Sequence, residues 1–285
     1  MNSRRDFLMI AGASLGLGST GFQSRKQPRM SFGREPFALG IASGSPTSTG
    51  VVLWTRIAPD PLAPLGGVTQ ATVPVRWEIA NDESMRNILQ RGTVNASADG
   101  GFSVHVEVGD LAPDRWYFYR FLAGDAASPV GRTRTAPSYN AAPERLRFAV
   151  ASCQHYEHGY FGAYRHIIAD APDLIVFLGD YIYGSRGKDA DIVRRHDGPS
   201  PKTLDEYRAR YALYRSDPDL QAAHACCPWI VTWDDHEVRN NYAGDWVPPG
   251  HSQTRFLRRR AAAYRAFYEH MPLPNASAPS GAGLR

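Results

Sequence analysis

Asp173-Leu-Ile-Val-Phe-Leu-Gly-Asp180-Tyr-Ile-Tyr183 and Trp229-Ile-Val-Thr-Trp-Asp234-Asp235-His236-Glu237 each run a short apolar stretch into a cluster of metal-binding side chains. Each apolar run has the length of one buried strand, and the carboxylates begin where that strand must meet a loop. In open α/β sheets, ligands bind at the carboxyl ends of the strands. A carboxylate withdrawn from water there costs several kcal/mol unless a cation or hydrogen bonds compensate it. Two such clusters in one domain therefore point to a metal site. A third run, Leu146-Arg-Phe-Ala-Val-Ala-Ser152, places Cys153 at the same kind of strand terminus.

Around these runs the pattern alternates between strand and helix. The periodicity predicts strands over 146–152, 174–179 and 229–233, and helices over 159–169, 204–225 and 252–270. The second helix is interrupted at Ser216-Asp217-Pro218. Strand–helix–strand units imply parallel strands with covering helices, here an α/β domain over 146–272. Three strands are few for a doubly covered sheet, so this domain is expected to be partial. The preceding segment, 36–136, reads as all-β. Strands are predicted over 50–56, 73–79, 102–108 and 116–121, separated by Asn81-Asp82, Asp99-Gly-Gly101 and Pro113-Asp114 turns. Short strands at this spacing indicate a β-sandwich. Leu111 to Arg120 resembles the approach to a late strand of fibronectin type III domains. Residues 137–145 read as a linker and 273–285 as a disordered tail.

With 43% hydrophobic and 21% charged residues, the 285-residue chain has the balance of a globular protein. Its net charge of +4 draws on Arg194-Arg195 and Arg258-Arg259-Arg260, which read as solvated faces, so no nucleic acid is expected as a stable partner. Of three cysteines, Cys226-Cys227 read as small buried residues at a helix end. At the N-terminus, Arg4-Arg5 precede a modest apolar stretch from Met9 to Phe22. That stretch is too short for the about 20 residues a bilayer span needs. Residues 1–30 thus resemble a twin-arginine signal peptide, implying bacterial export to the periplasm or medium and no span after cleavage.

The strand-end residues suggest a division of labour. Asp180 and Asp235 offer hard oxygen ligands. Cys153 offers a thiolate and Tyr183 a phenolate, which favour a strongly Lewis-acidic ion such as Fe(III). Two ions about 3.5–4 Å apart can activate water and hold a phosphate for in-line attack. His236 can donate a hydrogen bond or proton to a phosphoryl or leaving-group oxygen. Asn240 and Asn241 are neutral oxygen donors suited to calcium. Singly, each residue has a plainer reading: Asp180 as a helix cap, Tyr183 as a packing residue, Cys153 as a buried thiol. Together, at three strand ends, they favour metal.

Ser152-Cys153, Gly179-Asp-Tyr-Ile-Tyr183 and Trp233-Asp-Asp-His-Glu-Val-Arg-Asn-Asn241 resemble the PhoD-like alkaline phosphatases of the calcineurin-like metallophosphoesterase superfamily. The paired arginines and the sandwich ahead of the α/β segment look like that family too. The resemblance implies a fibronectin III-like sandwich followed by part of a metallophosphoesterase domain. It also implies hydrolysis of phosphate mono- or diesters outside the cytoplasm with Fe(3+) and Ca(2+). Cys153, Asp180 and Tyr183 would hold the iron, with Asp180 bridging to calcium. Asp235 or Asn240 would complete the calcium side, and His236 would contact the phosphate. The family continues to a late Gly-Asp-x-His motif, which is not found after His236. The chain is therefore expected to be C-terminally truncated, with an exposed sheet edge, weak iron binding and little activity alone. A purple-acid-phosphatase-like enzyme also pairs a sandwich with a Tyr ligand, but Cys153 and Asp-Asp-His-Glu argue against it. A noncatalytic cell-envelope binding module with a vestigial α/β part would bind no metal.

Overall fold

Period-two alternation drives the first half of the chain into sheet. In the computed structural model, which describes residues 30–184, 187, 192–196, 198–247 and 249–280, eight strands come first. They are β1 (Ile41–Gly44), β2 (Val51–Arg56), β3 (Thr72–Ala80), β4 (Ile88–Ser97), β5 (Ser103–Val108), β6 (Trp116–Ala123), β7 (Ala126–Ala127) and β8 (Gly131–Arg134). Along β6, Tyr117, Tyr119, Phe121 and Ala123 are buried while the residues between them are half-buried, as alternation requires. One sheet has the order β4-β3-β6, with β7 and β8 both pairing β6. It faces β5-β2-β1 across a core that includes Leu53, Val73, Val75, Val104 and Phe121. Full burial of side chains this size contributes about 1.5–3 kcal/mol each. The four strands predicted in this segment are present within two residues at each end, and β1, β4, β7 and β8 are additional.

The second half supplies β9 (Phe148–Ala151), α1 (Ala163–Ala169), β10 (Leu174–Phe177), α2 (Leu204–Arg215), α3 (Pro218–Cys226), β11 (Trp229–Val231) and α4 (Gln253–His270). Local chemistry sets the helix ends. Thr203 and Glu206 form a reciprocal capping box on α2, a pairing that ties off two otherwise orphan amides. The predicted interruption is real: α2 stops at Ser216, Asp217 caps α3 through the Asp219 and Leu220 amides, and Pro218 takes the first helical position. β9, β10 and β11 pair in parallel, aligning Val150, Val176 and Ile230 in one row. All four helices cover the face that carries Ile175, Phe177 and Trp229.

The α/β strands do not form a sheet of their own. β1 pairs in parallel with β11, so a six-stranded sheet runs β5-β2-β1-β11-β10-β9 through both segments. Gly44 makes this possible: a Cβ there would lie 2.7 Å from the Trp229 carbonyl oxygen and 2.6 Å from that of Pro272. Polar contacts tie the same junction. Trp54 Nε1 donates to the Glu269 carbonyl at 3.1 Å, and the buried Arg215 guanidinium stacks on the Trp54 ring at 3.9 Å.

Residues 137–145 carry neither strand nor helix. The tail expected to be disordered is docked as far as Ser280. Asn275 N donates to Glu107 at 2.7 Å, and His105 Nδ1 donates to the Leu273 carbonyl at 3.1 Å. Low complexity hid the backbone and ring contacts that hold it. Of the export signal expected over 1–30, residues 1–29 lie outside the described residues, as do 281–285 of the tail.

Candidate metal centre

Each parallel strand ends in a sharp turn that aims a polar side chain at one point. Cys153 and Asp180 both adopt φ of 56°, a left-handed conformation that costs a residue with a Cβ about 1–3 kcal/mol and gathers at functional sites. Gly179, at φ 103°, precedes Asp180, and a Cβ on it would collide with the Asp234 amide nitrogen. The turns after β9 and β10 are stitched together: Cys153 N donates to Gly179 O and Gln154 N to Asp180 O, each at 3.2 Å. Glu237 joins the turn after β11. Its two carboxylate oxygens accept from Tyr181 N at 2.5 Å and Asp234 N at 2.9 Å. Burial pushes its carboxyl up to about 7 against the pull of those two amides.

Asp180 lies at the centre and is 7% exposed. The Tyr183 hydroxyl donates to its Oδ2 at 2.8 Å, the Cys153 thiol approaches the same oxygen at 3.6 Å, and His236 N donates to Oδ1 at 3.3 Å. Ligand atoms of Asp180, Asp235 and His236 all lie within 4.8 Å of one another. The Asn241 amide donates to Asp235 Oδ2, and His236 Nε2 stands 3.9 Å from Asp235 Oδ1. Among the described residues no Arg or Lys pairs with Asp180 or Asp235. Two adjacent carboxylates, one nearly buried and neither paired with a cationic side chain, fit a bound cation. Burial raises the Tyr183 phenol far above its ordinary range, and the hydrogen bond to Asp180 raises it further. As a ligand, this phenol must lose its proton to a strong cation.

Five predicted residues, Cys153, Asp180, Tyr183, Asp235 and His236, therefore gather in one place. Asn240 is exposed and is not among the residues whose ligand atoms converge there. Several neighbours had no signal in the sequence. The Tyr214 hydroxyl, on α2, accepts from Tyr156 N at 3.2 Å and Tyr183 N at 3.0 Å, anchoring both turns to the helix layer. Arg210, also on α2, holds the Tyr183 carbonyl. The His155 ring packs 4.4 Å from Tyr183 and 4.0 Å from His158. Burial, with the His158 charge adding to it, drops His155 to about 4. Tyr183 and His236 are also ring neighbours, 4.1 Å between centroids. Only the Tyr-x-x-x-Tyr-x-x-Tyr stripe of α2 hinted at such a role, and it reads more simply as core.

Comparison with known proteins places this cluster in context. Residues 148–284 match the sequence model of the PhoD-like phosphatase family, and residues 23–137 match that of the PhoD-like phosphatase N-terminal domain. Alkaline phosphatase D of Bacillus subtilis (strain 168) is 49% identical over 295 aligned residues, which cover 99% of this chain and 50% of that protein. A solved structure of PhoD superposes with a TM-score of 0.87 at 50% identity, over 90% of this chain and 50% of that one. The chain thus spans about half the length of these relatives. A human fibronectin type III domain matches 36% of the chain at 18% identity and a TM-score of 0.26, too distant to define the kind of sandwich.

Proposed function

The chain belongs to the PhoD-like phosphatase family, and from that premise we propose that its strand-end cluster hydrolyses phosphate esters with the help of bound metal ions. The observation that carries this reading is the contact of the Tyr183 hydroxyl and the Cys153 thiol with one oxygen of a nearly buried Asp180. A thiolate, a phenolate and a carboxylate around one position suit iron(III), with Asp180 turned also toward Asp235. Asp235 or Asn240, five residues on, would complete an oxygen-rich side suited to calcium. Bound there, such ions supply Lewis acidity that makes water a nucleophile near neutral pH and offsets phosphate charge.

The protein's own groups do the rest. Glu237 and Tyr214 fix the turns, so Asp180 and Tyr183 need no reorganisation when substrate arrives. The His236 ring, between Tyr183 and Asp235, donates a hydrogen bond to a phosphoryl oxygen or a proton to the departing alkoxide. The metallophosphoesterase fold, both monoesters and diesters as substrates, and export by the twin-arginine machinery belong to the same proposal. Arg4-Arg5 and the stretch after them support export. Among the described residues, no helix is long and apolar enough to cross a membrane.

The test is release of phosphate from an alkyl phosphomonoester by metal-loaded protein, wild type beside His236→Gln. Turnover is expected to fall by about 10²–10⁴ with metal content unchanged. Equal turnover, or metal lost in step with activity, would contradict a proton-donating His236.

A further inference from the structure

The end of α3 brings two sulfurs together. Cys226 is the last residue of the helix, and Cys227 follows it in extended backbone, at φ −165° and ψ 167°. Their Sγ atoms lie 3.6 Å apart, in hydrogen-bond contact. The two differ in access: Cys226 is half-buried, whereas Cys227 is fully buried. Arg132, on β8, donates from Nε to the Cys226 carbonyl at 2.9 Å. The hydrogen bond with Cys227 holds the Cys226 thiol below its ordinary range against the effect of burial, and the Arg132 charge adds to that. The same hydrogen bond, with burial, pushes the Cys227 thiol up. A reachable thiol that ionises readily, beside a second sulfur able to resolve it, is the arrangement of redox-sensitive cysteines.

We propose that Cys226 and Cys227 are a site of reversible oxidation, closing to a disulfide between adjacent residues by exchange with a small-molecule disulfide. The inference rests on these two side chains and is independent of the metal centre and its activity. Exposure divides the work between the thiols. The Cys226 thiolate attacks one sulfur of the incoming disulfide, whose S–S bond breaks, and one half leaves as a thiolate. Cys227 then gives up its proton and attacks the Cys226 sulfur, expelling the other half. Two electrons pass from the protein's thiols to the reagent, which ends as two thiols carrying the protein's two protons. Cys227 needs no access to solvent, because its target is 3.6 Å away. Closing the ring brings the sulfurs to about 2 Å, which side-chain rotation supplies. The backbone resists more. Adjacent Cα atoms stand about 3.8 Å apart, short of the about 4.4–6.8 Å that an unstrained disulfide spans. The bond is therefore strained, and strained disulfides are the labile ones, reopened by thiols that leave structural disulfides intact. That strain falls on a joint of the fold. Arg132 of β8 holds the carbonyl of Cys226, and Ile175 N of β10 donates to the carbonyl of Pro228 at 3.0 Å. Oxidation thus loads the contact between the sandwich and the parallel strands.

The test treats the folded 285-residue protein with glutathione disulfide, removes the reagent, then unfolds the protein and alkylates every free thiol. Trypsin releases the peptide Ser216–Arg239, which carries Cys226 and Cys227 but not Cys153. From wild type this peptide is expected unalkylated and lighter than its dithiol form by two hydrogens. Reduced glutathione added to the oxidised protein should restore alkylation of both cysteines. Cys227→Ser should stop at the first step, with one glutathione retained on Cys226. Cys226→Ser should leave Cys227 free, because the buried thiol does not meet the reagent. A wild-type peptide alkylated on both cysteines, or one that retains glutathione on Cys226, overturns the proposal. So does a bond that reduced glutathione leaves closed, or a Cys227 that takes up glutathione in Cys226→Ser as fast as wild type reacts.

Discussion

At the scale of single residues, the site is held by groups whose work is to position others. Glu237 spends both carboxylate oxygens on backbone, fixing the amides of Tyr181 and Asp234 in the turns that carry Asp180 and Asp235. Replacing it with Ala leaves the buried Tyr181 amide unpaired, at about 1–3 kcal/mol, and frees the part-buried Asp234 amide. Glu237→Ala should therefore lower the unfolding midpoint. It should also weaken metal binding about 10–100-fold, as loss of outer support around ligands does. Calorimetric melting and metal titration check the two effects separately, and unchanged values for both would remove Glu237 from the account. Cys153, Asp180, Tyr183, Asp235 and His236 were legible because each follows an apolar run by a fixed short distance. The positioning roles of Tyr214 and Glu237 were not, because their partners are backbone amides. Tyr214 bonds Tyr156 N and Tyr183 N from 58 and 31 residues away. A linear pattern carries no trace of such pairings.

Elements tell a similar story. β2, β3, β5 and β6 declare themselves by alternation, and the break between α2 and α3 by Ser-Asp-Pro. β4 does not, since Arg91, Thr93 and Asn95 on its exposed face, with Gln90 and Gly92 on the other, leave an edge strand no apolar run. β1 is harder still. Ile41-Ala-Ser-Gly44 is four residues, too short for a period, and its importance lies wholly in its neighbours. That is why the sandwich and the α/β segment read as separate units when one sheet joins them. Gly44→Ala tests the joint. The added methyl meets two carbonyl oxygens at 2.6–2.7 Å, and relieving such overpacking costs about 1–3 kcal/mol. The expected result is a lower melting temperature with faster hydrogen exchange in β1 and β11. A variant as stable as wild type would mean that β1 pairs elsewhere.

For the whole molecule, buried histidines give stability a pH dependence. Burial lowers His224 and His270 well below their ordinary range and His105 to about 4. The unfolded chain takes up these protons near pH 6.5, whereas the fold resists them. Their contribution is thus complete above about pH 6.5 and is lost as pH falls toward about 4. The melting midpoint of metal-free protein should drop between pH 6.5 and 4.5, and His105→Gln should flatten part of that slope. A midpoint that rises on acidification would contradict the burial of these rings. Composition and pattern made the order of sandwich and α/β segment readable, but not the continuous sheet or the docked tail, which depend on contacts between distant segments. The central claim is that three strand-end turns build one metal centre around Asp180. Its most direct measurement is equilibrium dialysis of chelator-stripped protein against iron and calcium, followed by elemental analysis, wild type beside Asp180→Asn. The account predicts bound metal in the wild type and at least tenfold less in the variant at the same free concentrations. Equal metal in both proteins, or none in either, would contradict it.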